Sequence, residues 1–415
     1  MRFCMITTFF GEHSFGGDAV YVERLSEALL KRGHEVEVIY NRDAFDLVRR
    51  NTVPRSYAPP DGLVTHALTN RLKTLAALQI HQTGTPGFLS QPIEKIVNRK
   101  AFDVIHFHNL SLIGGIGLLK LKTSAVKLMT AHEHWLLCPL SLLWKFNREV
   151  CQQPQCFRCT LHAKRPPQFW RSTTKINAAL HHLHALIFPS RHTLELHRQR
   201  GIHAPDMQSL PYFLPDEWLT PNEPSSDNGN RQRPYFLMVG RLVIEKGFQT
   251  VISLMRQFPD FDLIIAGDGI YRSHLESLSK DLPNVQFYGL ANFSELKQLY
   301  AQARALIVPS LFYETFGYVV LEGLSQGTPV LARNLGALPD LITASDGGSV
   351  YDTEQELYEK MQQLASQPEC HPNRKADHIN AIQAYWSESV HLNRYLETIE
   401  NYKIRSQACF SEKNL

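Results

Sequence analysis

Short, largely apolar runs recur along this chain, each closed by glycine or polar residues and followed by a helical pattern, and that rhythm leaves few folds open. The first run, Arg2–Phe9, is followed by the glycine-bearing stretch Gly11–Gly17, after which Val22, Leu25, Ala28 and Leu29 recur at helical spacing. Gly33 ends that helix, and Val36, Val38 and Tyr40 then alternate with charged residues, as a strand requires. The opening is therefore a βαβ unit, with Asp18 expected to cap its helix. Val104–Phe107, Val126–Met129 and Ala185–Phe188 are apolar but for His106 and Lys127, the pattern of strands buried on both faces of a parallel sheet. Residues 50–95, rich in Pro, Thr and Gln, read as irregular with some helix.

The rhythm stops at Pro215–Pro234, where Pro, Asn, Ser, Asp and Gly cluster, and then restarts with Tyr235–Val239, Leu263–Ala266, Val285–Tyr288, Ala305–Val308 and Pro329–Ala332. A chain of 415 residues exceeds one ordinary core. The expectation is α/β, with two doubly wound Rossmann-like domains, residues 1–214 and 235–384, joined by a linker at 215–234 and facing each other across a cleft at the carboxyl ends of their strands. A net charge of +3 and the lack of a Lys/Arg-rich run speak against a nucleic-acid partner. The apolar part of the N-terminus is too short for a secretion signal, and Gly114, Gly115 and Gly117 interrupt Leu110–Leu119, the longest apolar run. A cytoplasmic protein is expected, its seven cysteines held as reduced thiols or metal ligands.

The residues with chemistry follow the carboxyl ends of these strands. Gly16 and Gly17 lie between a strand and its helix, where backbone N–H groups can approach a phosphate, although a plain turn has the same sequence. They lack the G-x-G-x-x-G spacing of a nicotinamide dinucleotide site. Arg241 and Lys246, in Gly240-Arg-Leu-Val-Ile-Glu-Lys-Gly247, place two cations after the strand Tyr235–Val239; Arg can grip a diphosphate bidentately and Lys acts as a point charge. In Glu314-Thr-Phe-Gly-Tyr-Val-Val-Leu-Glu322, one carboxylate precedes a helix and the second lies about two turns into it. The backbone of Thr315, Phe316 and Gly317 forms that helix's anion-binding end, and a carboxylate such as Glu322 is suited to the paired hydroxyls of a ribose.

Taken in order, Gly-Gly, Gly-His-Glu-Val, Gly-Arg-Leu-x-x-Glu-Lys-Gly, Gly-Asp-Gly, Pro-Ser, Glu-Thr-Phe-Gly, Glu and Gly-Thr-Pro-Val strongly resemble glycosyltransferase family 4 over nearly the whole chain. The resemblance implies a GT-B fold and a retaining transferase that moves a hexose from a nucleoside diphosphate sugar to a hydroxyl acceptor without a catalytic metal. It implies that Arg241 and Lys246 meet the diphosphate, Glu322 the ribose, and Glu314 with Thr315, Phe316 and Gly317 the donor sugar. Gly16 and Gly17 match the family's first glycine loop, and His132 matches a histidine reaching the transferred sugar. Trp386 and the helix after it, about 385–405, match a C-terminal segment that crosses back onto the first domain. Gly336-Ala337-Leu338-Pro339-Asp340 and Gly323 depart from the family's usual residues. An epimerase of the same fold, or a sugar-nucleotide-binding protein without turnover, is compatible with these residues.

Four further patterns stand apart. Asp260-Phe261-Asp262 has the Asp-x-Asp spacing of a divalent-metal site but precedes its strand, so it reads as a solvated strand start. His106-Phe107-His108 and His132-Glu133-His134 end two strands, where His-x-His can bind metal; the sugar-site reading of His132 is preferred. Cys138, Cys151, Cys156 and Cys159 have the ligand count of a structural zinc site, while an iron–sulfur cluster or a set of reduced thiols would use the same residues. Between Thr160 and Arg200 the basic residues face only Glu195, and Phe169 and Trp170 lie among them, a composition suited to contact with an anionic membrane or to a plain solvated face.

Overall fold

The computed structural model describes residues 1–49, 56–220, 233–367 and 372–412. Most of the expected linker, 221–232, lies outside the described residues. The strands are β1 (Arg2–Thr7), β2 (Glu35–Asn41), β3 (Val64–Leu68), β4 (Val104–Phe107), β5 (Val126–Thr130), β6 (Trp144–Lys145), β7 (Glu149–Val150), β8 (Ala185–Phe188), β9 (Met207–Ser209), β10 (Tyr235–Val239), β11 (Asp262–Ala266), β12 (Val285–Gly289), β13 (Ala305–Val308), β14 (Val330–Arg333) and β15 (Gly348–Tyr351). A seven-stranded sheet has the order β3-β2-β1-β4-β5-β8-β9 and a six-stranded sheet the order β12-β11-β10-β13-β14-β15. Both sheets are parallel at every pairing. Beta strands 6 and 7 form a small antiparallel hairpin.

The chain divides into two compact units, one of Met1–Leu142, Pro154–Tyr212 and His391–Leu415, the other of Leu143–Gln153 and Phe213–Val390. In the first, Ile6, Ile105, Phe107, Leu186 and Phe188 from the strands pack with Ile113, Leu119 and Leu180 from the connections. Leu110–Leu119 contributes Leu110, Ile113, Ile116, Leu118 and Leu119 to this core, and its glycines are packing positions. A Cβ on Gly115 would sit 2.5 Å from the Gly84 carbonyl oxygen. From His391 onward the last helix, Glu388–Glu412, belongs to the first unit: its Tyr395 and Lys403 reach His106 and Asp103. In the second unit Phe236, Met238, Leu263, Ile265 and Ile307 form the centre.

Five strands escaped the sequence reading, the two of the short β6–β7 hairpin and three in the large sheets. Beta strands 3, 9 and 15 lie at sheet edges and are only partly buried, so none carries a continuous apolar run. Within the stretch 50–95, expected to be irregular with some helix, the described residues 56–95 hold β3, the helix Lys73–Thr83 and the start of the helix Ser90–Arg99. The expected cap at Asp18 is also corrected. Gly16 takes the cap position of helix Gly17–Lys31 with no side-chain cap, because the Asp18 carboxylate accepts from Asn109 Nδ2 at 3.1 Å instead. Among the described residues no helix is long and apolar enough to cross a membrane.

Leu237 is fully buried at the centre of β10, with β11 on one side and β13 on the other. Leu237→Ala should lower stability by about 2–5 kcal/mol, the usual cost of deleting such a side chain and leaving a cavity. Chemical denaturation followed by tryptophan fluorescence checks it; an unchanged midpoint would mean that this strand does not bear on the stability of its unit.

Candidate active site

In the second unit the strand order reverses between β10 and β13, and the loops that follow them diverge from neighbouring positions. The loop after β10 turns through Gly240 and a short helical turn, Ile244–Lys246, and closes at Gly247 with φ +75°. A Cβ there would lie 2.0 Å from the Pro309 carbonyl oxygen, so only glycine lets the loop pass over the end of β13. Leu311 N–H donates to the Glu245 carbonyl at 2.8 Å and ties the two loops together.

This approach puts Lys246 Nζ 2.6 Å from Glu314 Oε1, with both side chains largely shielded from water. Ser310 Oγ donates to the same carboxylate oxygen at 2.7 Å, and the Lys246 ammonium lies 5.3 Å from the centre of the Phe312 ring. Glu314 is further held through its backbone: Ala337 N–H donates to its carbonyl at 2.9 Å, and Gly336 lies so close that a Cβ would meet the Glu314 backbone at 2.6 Å. The Gly336-Ala337 departure thus keeps the glycine that the contact demands. Arg241 is exposed in the first loop.

Thr315 and Phe316 lead to Gly317, at φ +113°, which caps the helix Tyr318–Ser325. Glu322 on that helix is 9 % exposed and accepts a hydrogen bond from Tyr300 Oη at 3.0 Å. Burial, with Glu322 beside it, holds the Tyr300 phenol well above its ordinary range. Gly323 follows from packing, since a Cβ there would stand 3.0 Å from Leu306 Cδ2. Asp262 begins β11 at the amino end of the strand, between Arg233 and Gln286.

In the first unit Gly16 and Gly17 open the helix after β1, and Asn109 joins that region to the end of β5 by donating to Asp18 at 3.1 Å and to Glu133 at 3.4 Å. His132 is buried; its Nδ1 bonds to Tyr212 Oη and its Nε2 lies 2.9 Å from His108 Nδ1. His106 bonds to Tyr395 Oη at 2.9 Å and Thr130 Oγ1 at 2.8 Å, which occupies both ring nitrogens. His391 bonds to Tyr21 Oη and to the Pro211 carbonyl. Tyr212, Tyr300 and Asn109 were not singled out in the sequence, because isolated polar residues carry no local motif, and Ser310 entered only within the Pro-Ser pattern, with no role assigned.

The cysteine expectation is corrected. Among the described residues no three His, Cys, Asp or Glu side chains converge on a metal-binding position, so a structural zinc at Cys138, Cys151, Cys156 and Cys159 is not supported. Cys151 and Cys159 are buried, Cys138 is half-buried, and Cys156 is exposed. The His-x-His pairs form no metal site either: His134 stacks on His197 with centroids 5.4 Å apart, while His132 turns to His108.

A family model described as glycosyltransferase family 4 matches residues 15–213, and one described as glycosyl transferases group 1 matches residues 221–382. The chain is 38% identical over 121 residues to the sulfoquinovosyl transferase SQD2 of Arabidopsis thaliana, 29% of this chain and 23% of that protein. It is 29% identical over 194 residues to a GDP-mannose-dependent monoacylated alpha-(1-6)-phosphatidylinositol monomannoside mannosyltransferase of Corynebacterium glutamicum, 41% of this chain and 51% of that one. The chain spans about a quarter to a half of the length of the first curated relatives it matches. Among solved structures, sucrose-phosphate synthase from Thermosynechococcus elongatus superposes with a TM-score of 0.72 at 19% identity, over 99% of each chain. Anabaena Alr3699/HepE in complex with UDP-glucose does so with a TM-score of 0.64 at 16% identity, over 97% of this chain and 100% of that one. At these identities the structures establish a shared fold.

Burial lowers the imidazole pKa of His132 from 6.5 to about 3 and those of His197 and His391 to about 4, and puts His106 and His108 well below 6.5. All five are neutral in the folded chain at pH 7, and below pH 6.5 the unfolded chain takes up their protons first. Stability is therefore intact above pH 6.5 and falls as the pH drops toward 4, each group contributing up to about 1.4 kcal/mol per pH unit. Melting temperatures between pH 7.5 and 5 should decline below pH 6.5; a flat profile would contradict the buried neutral state.

Proposed function

The chain belongs to glycosyltransferase family 4 and has the GT-B fold, and on that premise we propose that it transfers a hexose from a nucleoside diphosphate sugar to a hydroxyl acceptor with retention of anomeric configuration. The observation that carries the reading is the convergence of the Gly240–Gly247 and Ser310–Gly317 loops at the switch point of the second sheet, with Lys246 against Glu314.

Breaking the anomeric C–O bond leaves negative charge on the departing diphosphate. Arg241 and Lys246 supply fixed cations for it, and the N–H groups at Thr315–Gly317 add a helix N-terminus. The Lys246–Glu314 pair gives the donor a defined way in. A phosphate oxygen that draws the ammonium away leaves the Glu314 carboxylate available to a hydroxyl of the donor sugar, with Ser310 still holding it. Glu322, buried on the next helix, accepts from the ribose hydroxyls. His132 is neutral and does not act as an acid; Tyr212 and His108 engage both of its ring nitrogens, so it meets the transferred sugar only by exchanging one of these bonds. The acceptor hydroxyl attacks from the leaving-group side, no side chain acts as nucleophile, and no catalytic metal takes part.

A thermal-shift panel of nucleoside diphosphates and their sugars tests the reading, since a ligand that binds only the folded chain raises its melting temperature. No stabilisation by any of them at millimolar concentration would overturn it. Arg241→Ala and Lys246→Ala should each lower kcat by about 10²–10³-fold, the usual loss for one preorganised contact to developing charge. Near-normal turnover in both variants would remove the loop from the site.

The acceptor is proposed to be lipid-linked, with the first unit touching an anionic membrane. Phe157 and Leu161, one turn apart on helix Cys156–His162, are 54% and 52% exposed, and Phe169, whose ring centre lies 6.1 Å from that of Phe157, is 79% exposed. Arg158, Lys164 and Arg165, all exposed, lie among them along the chain, and no acidic residue occurs between Val150 and Leu194. Trp170 and Arg171 belong to the interior instead: Trp170 is buried and Arg171 lies between it and Trp135. Apolar side chains ringed by cations suit an anionic bilayer surface. The chain should co-sediment with anionic but not neutral vesicles, lose binding at high salt, and bind less well as Phe157→Ser, Phe169→Ser. No binding at low salt would dismiss the contact.

A further inference from the structure

Cys156 and Cys159 stand one turn apart on the helix Cys156–His162, in unlike surroundings. Cys156 is exposed, whereas Cys159 is buried. Hydrogen bonds define the turn between them: Cys159 N–H donates to the Gln155 carbonyl at 2.9 Å, and Thr160 Oγ1 shares its proton between the carbonyls of Cys156 and Phe157, each at 2.9 Å. Helix geometry sets Cα atoms three positions apart at about 5 Å, inside the range of about 4.4–6.8 Å that a disulfide spans. The corresponding Cβ atoms, at about 5–6 Å, must come within about 4.5 Å. A first turn tightened toward 3₁₀ geometry, in which positions three apart lie directly above one another, closes that difference. Phe157 and Arg158, the residues between, are both exposed, so no packing in the interior opposes the change.

The charge around this turn favours thiol chemistry. The Arg171 guanidinium is enclosed between the rings of Trp135 and Trp170, 5.1 and 5.2 Å from their centres, and interacts electrostatically with the thiols of Cys138 and Cys156. Burial pushes its pKa down to about 10, which leaves it a cation at pH 7. Exposed Arg158, Lys164 and Arg165 add positive charge along the same segment, and residues 151–194 contain no carboxylate. A cation beside a thiol favours the thiolate, the form that attacks a disulfide. An accessible thiol in such a setting, with a second thiol within reach to resolve the first product, is the arrangement of redox-responsive cysteines. Burial of Cys159 orders the two steps, because a dissolved oxidant meets Cys156 first.

We propose that Cys156 and Cys159 form a reversible dithiol–disulfide site, with Cys156 as the attacking thiol, Cys159 as the resolving thiol and a small disulfide such as oxidised glutathione as the oxidant. Cys156 gives its proton to solvent, its sulfur bonds to one sulfur of the oxidant, and the oxidant's S–S bond breaks to release one thiolate. Cys159 then gives up its proton, its sulfur bonds to that of Cys156, and the second thiolate leaves. The two cysteines lose two electrons between them, the oxidant is reduced to two thiols, and the two protons end on the departing thiolates. The tightened turn carries Phe157 with it, so oxidation reshapes the exposed apolar surface that Phe157 shares with Phe169. The site requires neither the transferase reading nor the membrane contact, and its test reads the thiols alone.

The full chain is equilibrated with glutathione buffers of graded ratio, its remaining thiols are alkylated, and it is digested with trypsin without reduction. Trypsin cuts after Arg158, so the disulfide joins two peptides that otherwise separate. Mass spectrometry should show the joined pair rising with the oxidised share of the buffer and disappearing when reduced glutathione is restored. Cys159→Ser should trap one glutathione on Cys156, since the resolving thiol is gone, and Cys156→Ser should yield neither the pair nor the adduct. Cys138→Ser should leave the joined pair at its native level. No joined pair at any ratio, a pair that links Cys156 to Cys138 instead, or equal glutathione uptake by the Cys156→Ser and Cys159→Ser variants would overturn the proposal.

Discussion

Because β10 pairs in parallel with β13, the chain leaves both strands at one edge of the sheet, and the loops after Val239 and Val308 run side by side. Parallel strands need a crossover between them, so the residues that meet at this edge are far apart in sequence. Lys246 and Glu314 are 68 positions apart and lie within 2.6 Å. Gly247, Gly336 and the Leu311–Glu245 hydrogen bond narrow the remaining gap, since each removes a side chain or adds a tie where two backbones touch. The chemistry of the second unit depends on that approach. An ammonium and a carboxylate in contact keep one another solvated in a largely shielded place, and in the proposed function each takes a role once a diphosphate sugar separates them.

The first unit meets the same demand without charge. Its strand ends carry imidazoles, phenols and hydroxyls, and burial keeps every histidine of the group neutral. Hydrogen bonds then take over the work that ion pairs do in the second unit. His106 satisfies both of its nitrogens, His391 bonds to Tyr21 and a backbone carbonyl, and His132 lies between Tyr212 and His108. The last helix contributes to this group through His391 and Tyr395, so the end of the chain completes a network begun at β1.

What the sequence determined by itself was the architecture and the kind of chemistry. Strands apolar at every position, such as Ala185–Phe188 and Ala305–Val308, can only be covered on both faces, which requires parallel sheets and helical crossovers. The loops after them carried Arg241, Lys246 and Glu314 as visible motifs because their spacing along the chain is short and local. The edge strands β3, β9 and β15 were illegible for the converse reason: half-exposed residues carry no continuous pattern. Tertiary structure alone decided the partnerships. It set Lys246 against Glu314, Tyr300 against Glu322 and His108 against His132, drew Asp18 away from its helix to Asn109, and left the four cysteines outside any metal-binding group. Local spacing reports periodicity and turn chemistry, but contacts between residues tens to hundreds of positions apart depend on how the strands are ordered in the sheet, and no short stretch of sequence encodes that order.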